Sequence, residues 1–113
     1  MHILSIYNID VLENIMHKIN TTTLDLMSKL PNHSQKILSD IIEYLLNDKL
    51  ISEDITISKC ERFIVIVVNN YETVMPEIEM LHSRIFENQW EDDNPHFVEH
   101  IHEIIDDMIT DYN

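Results

Sequence analysis

Ile55-Thr56-Ile57-Ser58-Lys59-Cys60-Glu61-Arg62-Phe63-Ile64-Val65-Ile66-Val67-Val68 is the stretch on which the fold turns. Ile55 and Ile57 alternate around Thr56 as in a strand, and Phe63 to Val68 is apolar throughout and rich in β-branched side chains. Local propensity favours a strand for such residues. A short apolar run looks the same, however, in a helix buried on every side. Read as a helix, it is the one that the other segments surround, and the chain is an all-α bundle. Read as a hairpin at 55–68, it follows a helix and gives an α+β, winged-helix-like fold. The turn a hairpin needs, Ser58 to Arg62, contains no glycine, and none occurs anywhere in the chain. Tight hairpin turns use positive φ, which glycine adopts freely and Asn less so. The neighbouring segments are helical in pattern, so the helix is preferred and a compact helical bundle is the expected fold.

Outward from this stretch, apolar residues recur at helical spacing. Ile37, Leu38, Ile41, Ile42, Leu45 and Leu46 form a broad face, with Asn32 or Ser34 as cap. Before it, Leu24, Met27 and Leu30 make a short stripe that Pro31 ends, and Val11, Leu12, Ile15, Met16 and Ile19 make another from Asp10 to Ile19. On the other side, Pro76 at a first helical position opens a helix with Ile78, Leu81, Ile85 and Phe86 inward. Asn94-Pro95 starts the last helix, which carries Phe97, Val98, Ile101, Ile104, Ile105, Met108, Ile109 and Tyr112 on one face. With 113 residues, no repeat and no linker, the expectation is one helical domain over 1–113.

Charge narrows the function. Twenty-one acids against seven Lys plus Arg give −14, while 44% hydrophobic residues supply a core and exclude a disordered chain. Such a surface repels phosphates and anionic membranes, so direct nucleic-acid binding is not expected. After Arg84 no Lys or Arg occurs, yet Glu87, Glu91, Asp92, Asp93, Glu99, Glu103, Asp106, Asp107 and Asp111 follow. Two readings fit: a solvated face that maintains solubility, or a docking face for a basic partner.

Cys60 is the sole cysteine, so no internal disulfide forms and a reducing, cytoplasmic setting is expected. The N-terminal residues lack a signal-peptide pattern, and the longest apolar run is too short to span a membrane. The triplets Asn20-Thr21-Thr22 and Asn32-His33-Ser34 match the glycosylation pattern by chance.

The chemistry available is sparse. Without glycine there is no phosphate-cradling loop, dinucleotide fingerprint or glycine-flanked nucleophile elbow. His96-Phe97-Val98-Glu99-His100 matches the H-x-x-E-H zinc-hydrolase pattern. That chemistry needs a third ligand well downstream, and only thirteen residues follow His100. Solvent-facing histidines, or a chance surface metal, account for the motif more simply. Cys60 lacks any context that lowers a thiol pKa and reads as a buried structural residue. No enzymatic activity, metal or cofactor is therefore expected. Met16, Met27, Met75, Met80 and Met108 read either as core filler or as an adaptable groove that accepts a partner helix. Trp90, at the edge of an acidic loop, suits a binding hot spot or a half-buried packing role.

Gln89-Trp90-Glu91, then Phe97, then Ile104-Ile105-Asp106-Asp107-Met108-Ile109-Thr110-Asp111-Tyr112 resemble the poxviral Bcl-2-like family of intracellular virulence factors. A second similarity lies at Lys59-Cys60-Glu61-Arg62-Phe63-Ile64-Val65-Ile66, where that family's buried central helix would begin. Together these cover about half the chain. The resemblance implies a Bcl-2-like bundle in the cytosol of an infected host cell. It implies binding of an amphipathic death-motif helix or an innate-signalling protein, hence inhibition of apoptosis or immune evasion. Several family members pair as homodimers, and the resemblance extends that option here. A glycine-free chain lacks the Asn-Trp-Gly-Arg signature of the cellular relatives, so groove residues are taken from the apolar stripes instead: Ile41, Leu45, Ile78, Leu81, Ile85 and Trp90.

The expected function is a small viral-type inhibitor that sequesters a host protein of apoptosis or innate immune signalling. The alternative is an acidic decoy, in which Glu87 to Asp111 imitates a nucleic-acid backbone and blocks a nucleic-acid-binding protein.

Overall fold

Residues 55–68 lie within a single helix, and the hairpin alternative is excluded. The computed structural model describes residues 18–47, 51–87 and 95–112. Within them the chain forms α1 (Thr21–Met27), α2 (Asn32–Asn47), α3 (Glu53–Asn69), α4 (Tyr71–Glu87) and α5 (Pro95–Tyr112). No described residue is in a strand. The helix expected over Asp10 to Ile19 falls mostly outside the described residues, and so does Trp90.

Burial explains why a β-branched segment is helical. α3 packs against α1, α2, α4 and α5, so its apolar residues meet neighbours on every side. Cys60, Phe63, Ile64 and Val67 are fully buried there. Burying such side chains contributes roughly 1.5–3 kcal/mol each. This exceeds the few tenths of a kcal/mol per residue by which β-branching disfavours a helix. Glu53 and Asp54 occupy the first turn, where the helix dipole favours negative charge.

Asn70 makes the turn between α3 and α4 at negative φ, where no glycine is needed. It is the one residue between α3 and α4, and it turns the chain at φ −127° and ψ 34°. Its Nδ2 donates to the Ile66 carbonyl at 3.0 Å, closing α3. Its own carbonyl accepts from Thr73 N at 3.1 Å and Val74 N at 2.9 Å, opening α4. No described residue adopts positive φ.

That capping moves the start of α4. Pro76 does not open the helix; it lies inside it, five residues after Tyr71. A proline there forfeits the bond from position 76 to the Glu72 carbonyl. Pro76 and Glu72 are both exposed, so the freed carbonyl is on the watered side, where the loss costs least. Phe86 is also not inward: it is 40% exposed, whereas Ile78, Leu81 and Ile85 are buried as expected.

The apolar stripes of the other elements follow their patterns, but Asn32 and Ser34 lie inside α2 and do not cap it, and Asn94 falls outside the described residues. Asn20 caps α1, its Oδ1 accepting from Thr23 N at 2.8 Å. Leu24, Met27 and Leu30 face the core. After Pro31, Gln35 Nε2 donates to the Leu30 carbonyl at 2.9 Å, which satisfies the chain where α1 gives way to α2. One contiguous core cluster joins residues of all five helices.

Candidate partner-binding surface

The apolar stripes on α2 and α4 meet each other. Ile41, Leu45, Ile78 and Ile85 have no exposed surface, and Leu81 has 4%. Ile41, Leu45, Ile78 and Ile85 form the interior of a closed seam, so these four are not the walls of an open groove; Leu81 alone of the five reaches the lining of a depression on the opposite flank of α4. Each helix has one broad apolar face, and two such faces bury most area by closing on one another. Polar and aromatic contacts fasten the seam along its length. Ser34 and Tyr71 share a hydroxyl hydrogen bond of 2.9 Å near the start of both helices. His82 Nε2 lies 2.9 Å from Asp40 Oδ2, and Lys36 reaches the same carboxylate at 3.3 Å. Phe86 meets Tyr44 edge-on at 6.2 Å and lies against the His82 ring at 4.7 Å.

The opposite flank of α4 is open. Glu77, Met80, Leu81, Arg84 of α4 and Ile104 of α5 line a depression of about 230 Å³. Met80 is 74% exposed, while Met27, Met75 and Met108 are core residues. The described methionines therefore divide: three fill the interior, and one stands on an open edge. Tyr112 Oη donates to Glu77 Oε2 at 2.7 Å and ties α5 to α4 at one end of this depression. That hydrogen bond raises the Tyr112 phenol pKa above its ordinary value, with desolvation and the charges of Glu77 and Asp111 adding to it.

A second depression of about 280 Å³ lies among α1, α3 and α5, lined by Thr23, Ser58, Glu61, Arg62, Val65, Ile66 and Ile109. Glu61 Oε2 accepts there from Asn20 N at 3.0 Å and Asn20 Nδ2 at 2.8 Å, so that carboxylate is committed to holding the entry to α1.

A buried polar cluster joins α3 to α5. Lys59 is 5% exposed and His102 4%. Lys59 Nζ lies 3.1 Å from His102 Nδ1 and 2.9 Å from Asp106 Oδ1. An ammonium only donates, so Nδ1 accepts and the ring is the neutral tautomer with its proton on Nε2. Asp106 is half exposed and supplies the countercharge. Sequence reasoning missed this group. Its one legible trace is that His102 and Asp106 stand four apart on one helix face, while Lys59 falls in the buried register between Thr56 and Phe63.

The candidate nucleophile is inert. Burial pushes the Cys60 thiol up to about 12, only partly opposed by the charge of Lys59. At neutral pH it stays protonated, and the thiolate is the reactive form. Among the described residues no group of three His, Cys, Asp or Glu side chains is placed to hold a metal ion. Of the H-x-x-E-H motif, Glu99 and His100 are exposed on α5, and the His96 side chain lies outside the described residues. Among the described residues no helix is long and apolar enough to cross a membrane. No family model matches this chain, and neither does any curated protein or solved structure.

Proposed function

We propose that this chain is a small viral-type inhibitor that binds and sequesters a host protein of apoptosis or innate immune signalling through a surface of its helical bundle. The observation that supports this reading is the position of α3. The resemblance to the poxviral Bcl-2-like family calls for a buried central helix beginning near Lys59; α3 begins earlier, at Glu53, carries that stretch, and packs against all four other described helices. The reading is non-catalytic and set in the host cytosol.

Purified chain is titrated with death-motif amphipathic peptides and used to capture signalling proteins from host-cell lysate. Saturable binding of such a peptide, or recovery of a defined apoptotic or innate-signalling protein, supports the reading. No peptide binding at high micromolar concentration, together with no such protein recovered, sinks it.

The acidic-decoy reading keeps one observation of its own. Glu99, Glu103, Asp106, Asp107 and Asp111 are all exposed on α5. A decoy complex weakens steeply between low and moderate salt, whereas an apolar contact changes little.

A further inference from the structure

We infer that the groove between α4 and α5 docks a cationic amphipathic helix of a partner protein, seating one large apolar side chain against Met80, Leu81 and Ile104. This rests on the protein-binding reading above and adds where the partner sits and what chemistry it brings.

Met80 is the first reason. Val74, Met75, Ile78, Leu81 and Ile85 of the same helix are buried, yet Met80 is 74% exposed. A flexible, polarisable thioether on an open edge suits an adaptable contact. Leu81, at 4% exposure, and the half-buried Ile104 give this edge an apolar floor. Size is the second reason. About 230 Å³ is smaller than the ~300–1,000 Å³ typical of small-molecule sites, and it matches one or two inserted side chains. The depression also runs between two helices, which gives a helical ligand a track to follow.

Charge selects the occupant. Glu77 stands three residues before Met80 on α4, and Asp107 and Asp111 stand three and seven after Ile104 on α5. At that spacing they share the faces that border the groove. All three are exposed, and Arg84 is the one basic residue lining it. The −14 of the whole chain adds to this local field. A second copy would bring acids against acids, and a nucleic acid or anionic membrane would bring phosphate. A helix with lysines or arginines flanking an apolar stripe is attracted at long range and complementary on contact.

The test uses the full chain and a synthetic helical peptide of about 18 residues. One form has leucines on one face and lysine and arginine beside them. A second replaces the basic residues by glutamate, and a third scrambles the first. Binding is read by fluorescence anisotropy against wild type, Met80→Ala, Asp107→Lys and the control Ile55→Ala, which alters an exposed isoleucine on α3. The cationic helix is expected to bind wild type and Ile55→Ala alike. Met80→Ala is expected to weaken it about tenfold, as for a central contact residue. Asp107→Lys is expected to weaken it several-fold, by a factor that shrinks as salt rises. The glutamate peptide should not bind. Equal affinity for wild type and Met80→Ala overturns the surface. So does equal binding of the scrambled peptide, which leaves charge alone, and so does no binding to wild type. Met80 is too exposed for its truncation to unfold the chain, and circular dichroism of each variant checks this. The two proposals fail separately. A chain that captures its host protein equally well with Met80→Ala loses this surface and keeps the sequestering role. A chain that binds the cationic helix at Met80 but no signalling protein or death-motif peptide does the reverse.

Discussion

α4 has two flanks, and they are built differently. Toward α2 it is closed along its length by Ser34 with Tyr71, Asp40 with His82 and Tyr44 with Phe86, over an interior of Ile41, Leu45, Ile78 and Ile85. Toward α5 a surface side-chain tie, from the half-buried Tyr112 to the exposed Glu77, stands at one end, with Met80 and Ile104 bordering an open depression beside it. The closed flank holds the residues that a stripe analysis would nominate for binding. The open flank holds an apolar residue that the same analysis leaves between core filler and groove. An apolar stripe at helical spacing marks a surface that must be covered, and the chain covers most such stripes itself. What remains for a partner is the apolar residue outside the stripe.

The largest test of this contrast sets two neighbouring positions against each other. Ile78→Ala, on the closed flank, is expected to cost about 2–5 kcal/mol, as for fully buried aliphatic truncations. Met80→Ala, two residues on, is expected to stay within about 0.5 kcal/mol of wild type. Urea unfolding of the two variants measures both. Comparable losses would mean that α4 has no open flank.

α5 needs another anchor if α4 holds it so lightly, and that anchor is α3. Asp106→Asn removes the countercharge from a lysine that is 5% exposed, leaving His102 as its recorded neighbour. An expected loss of about 1–3 kcal/mol follows, less than for a fully buried pair because Asp106 itself is half in water. Lys59→Met, which removes the buried charge and retains its bulk, is expected to cost less, about 1 kcal/mol, because Asp106 returns to water and the neutral His102 Nδ1 loses this donor. Were Lys59→Met as damaging as Asp106→Asn, the polar group would be stabilising in its own right.

This also shows what the sequence made legible. The stripes of α2, α5 and the short α1 were readable because each has one dry face, and 3.6-residue periodicity reports a dry face directly. The identity of α3 was not readable from periodicity, because its apolar run is covered on several sides. The absence of glycine decided it indirectly, by removing the turn a hairpin requires. Pro76 misled because proline at a first helical position is common, while the true start depends on Asn70, whose side chain closes one helix as its carbonyl opens the next. Lys59 with His102 escaped notice because the pairing spans 43 positions, and nothing in a single chain's periodicity reports which polar residues meet. Trp90 lies outside the described residues, so its part in any surface rests on sequence reasoning alone.

Alkaline pH probes the interior. Cys60 lies on the buried side of α3, with its thiol pushed up to about 12 from 9.0. The folded state thus keeps the proton that the unfolded chain gives up. The stabilisation is fully present below pH 9 and is lost as pH rises from 9 toward 12. Within that window each pH unit is expected to cost about 1.4 kcal/mol. Cys60→Ala should flatten this slope in urea titrations at successive pH values, at the expense of a lower plateau from the cavity it creates. Thiol reagents at neutral pH should label Cys60 only at the rate of unfolding. Prompt labelling of native protein would show that α3 is not sealed on this side.

The smallest effect belongs to the open flank, in the same pH range. The Tyr112 phenol is raised first by its hydrogen bond to Glu77, then by desolvation and the charges of Glu77 and Asp111. Its contribution is present below the ordinary tyrosine range and fades as pH passes through the raised value, the same sign as for Cys60. The hydrogen bond lies at the surface, however, so water and salt screen what it contributes. Tyr112→Phe is expected to leave the urea midpoint unchanged while deleting a late-titrating phenol from the absorbance titration. Glu77→Gln is expected to return that phenol toward its ordinary value, because the charge that favoured the protonated form is gone. A clear loss of stability in Tyr112→Phe would mean that this tie closes the flank of α4 as firmly as Asp40 and His82 close the other. The groove at Met80 would then be a seam at rest, one that must open before any partner helix could enter.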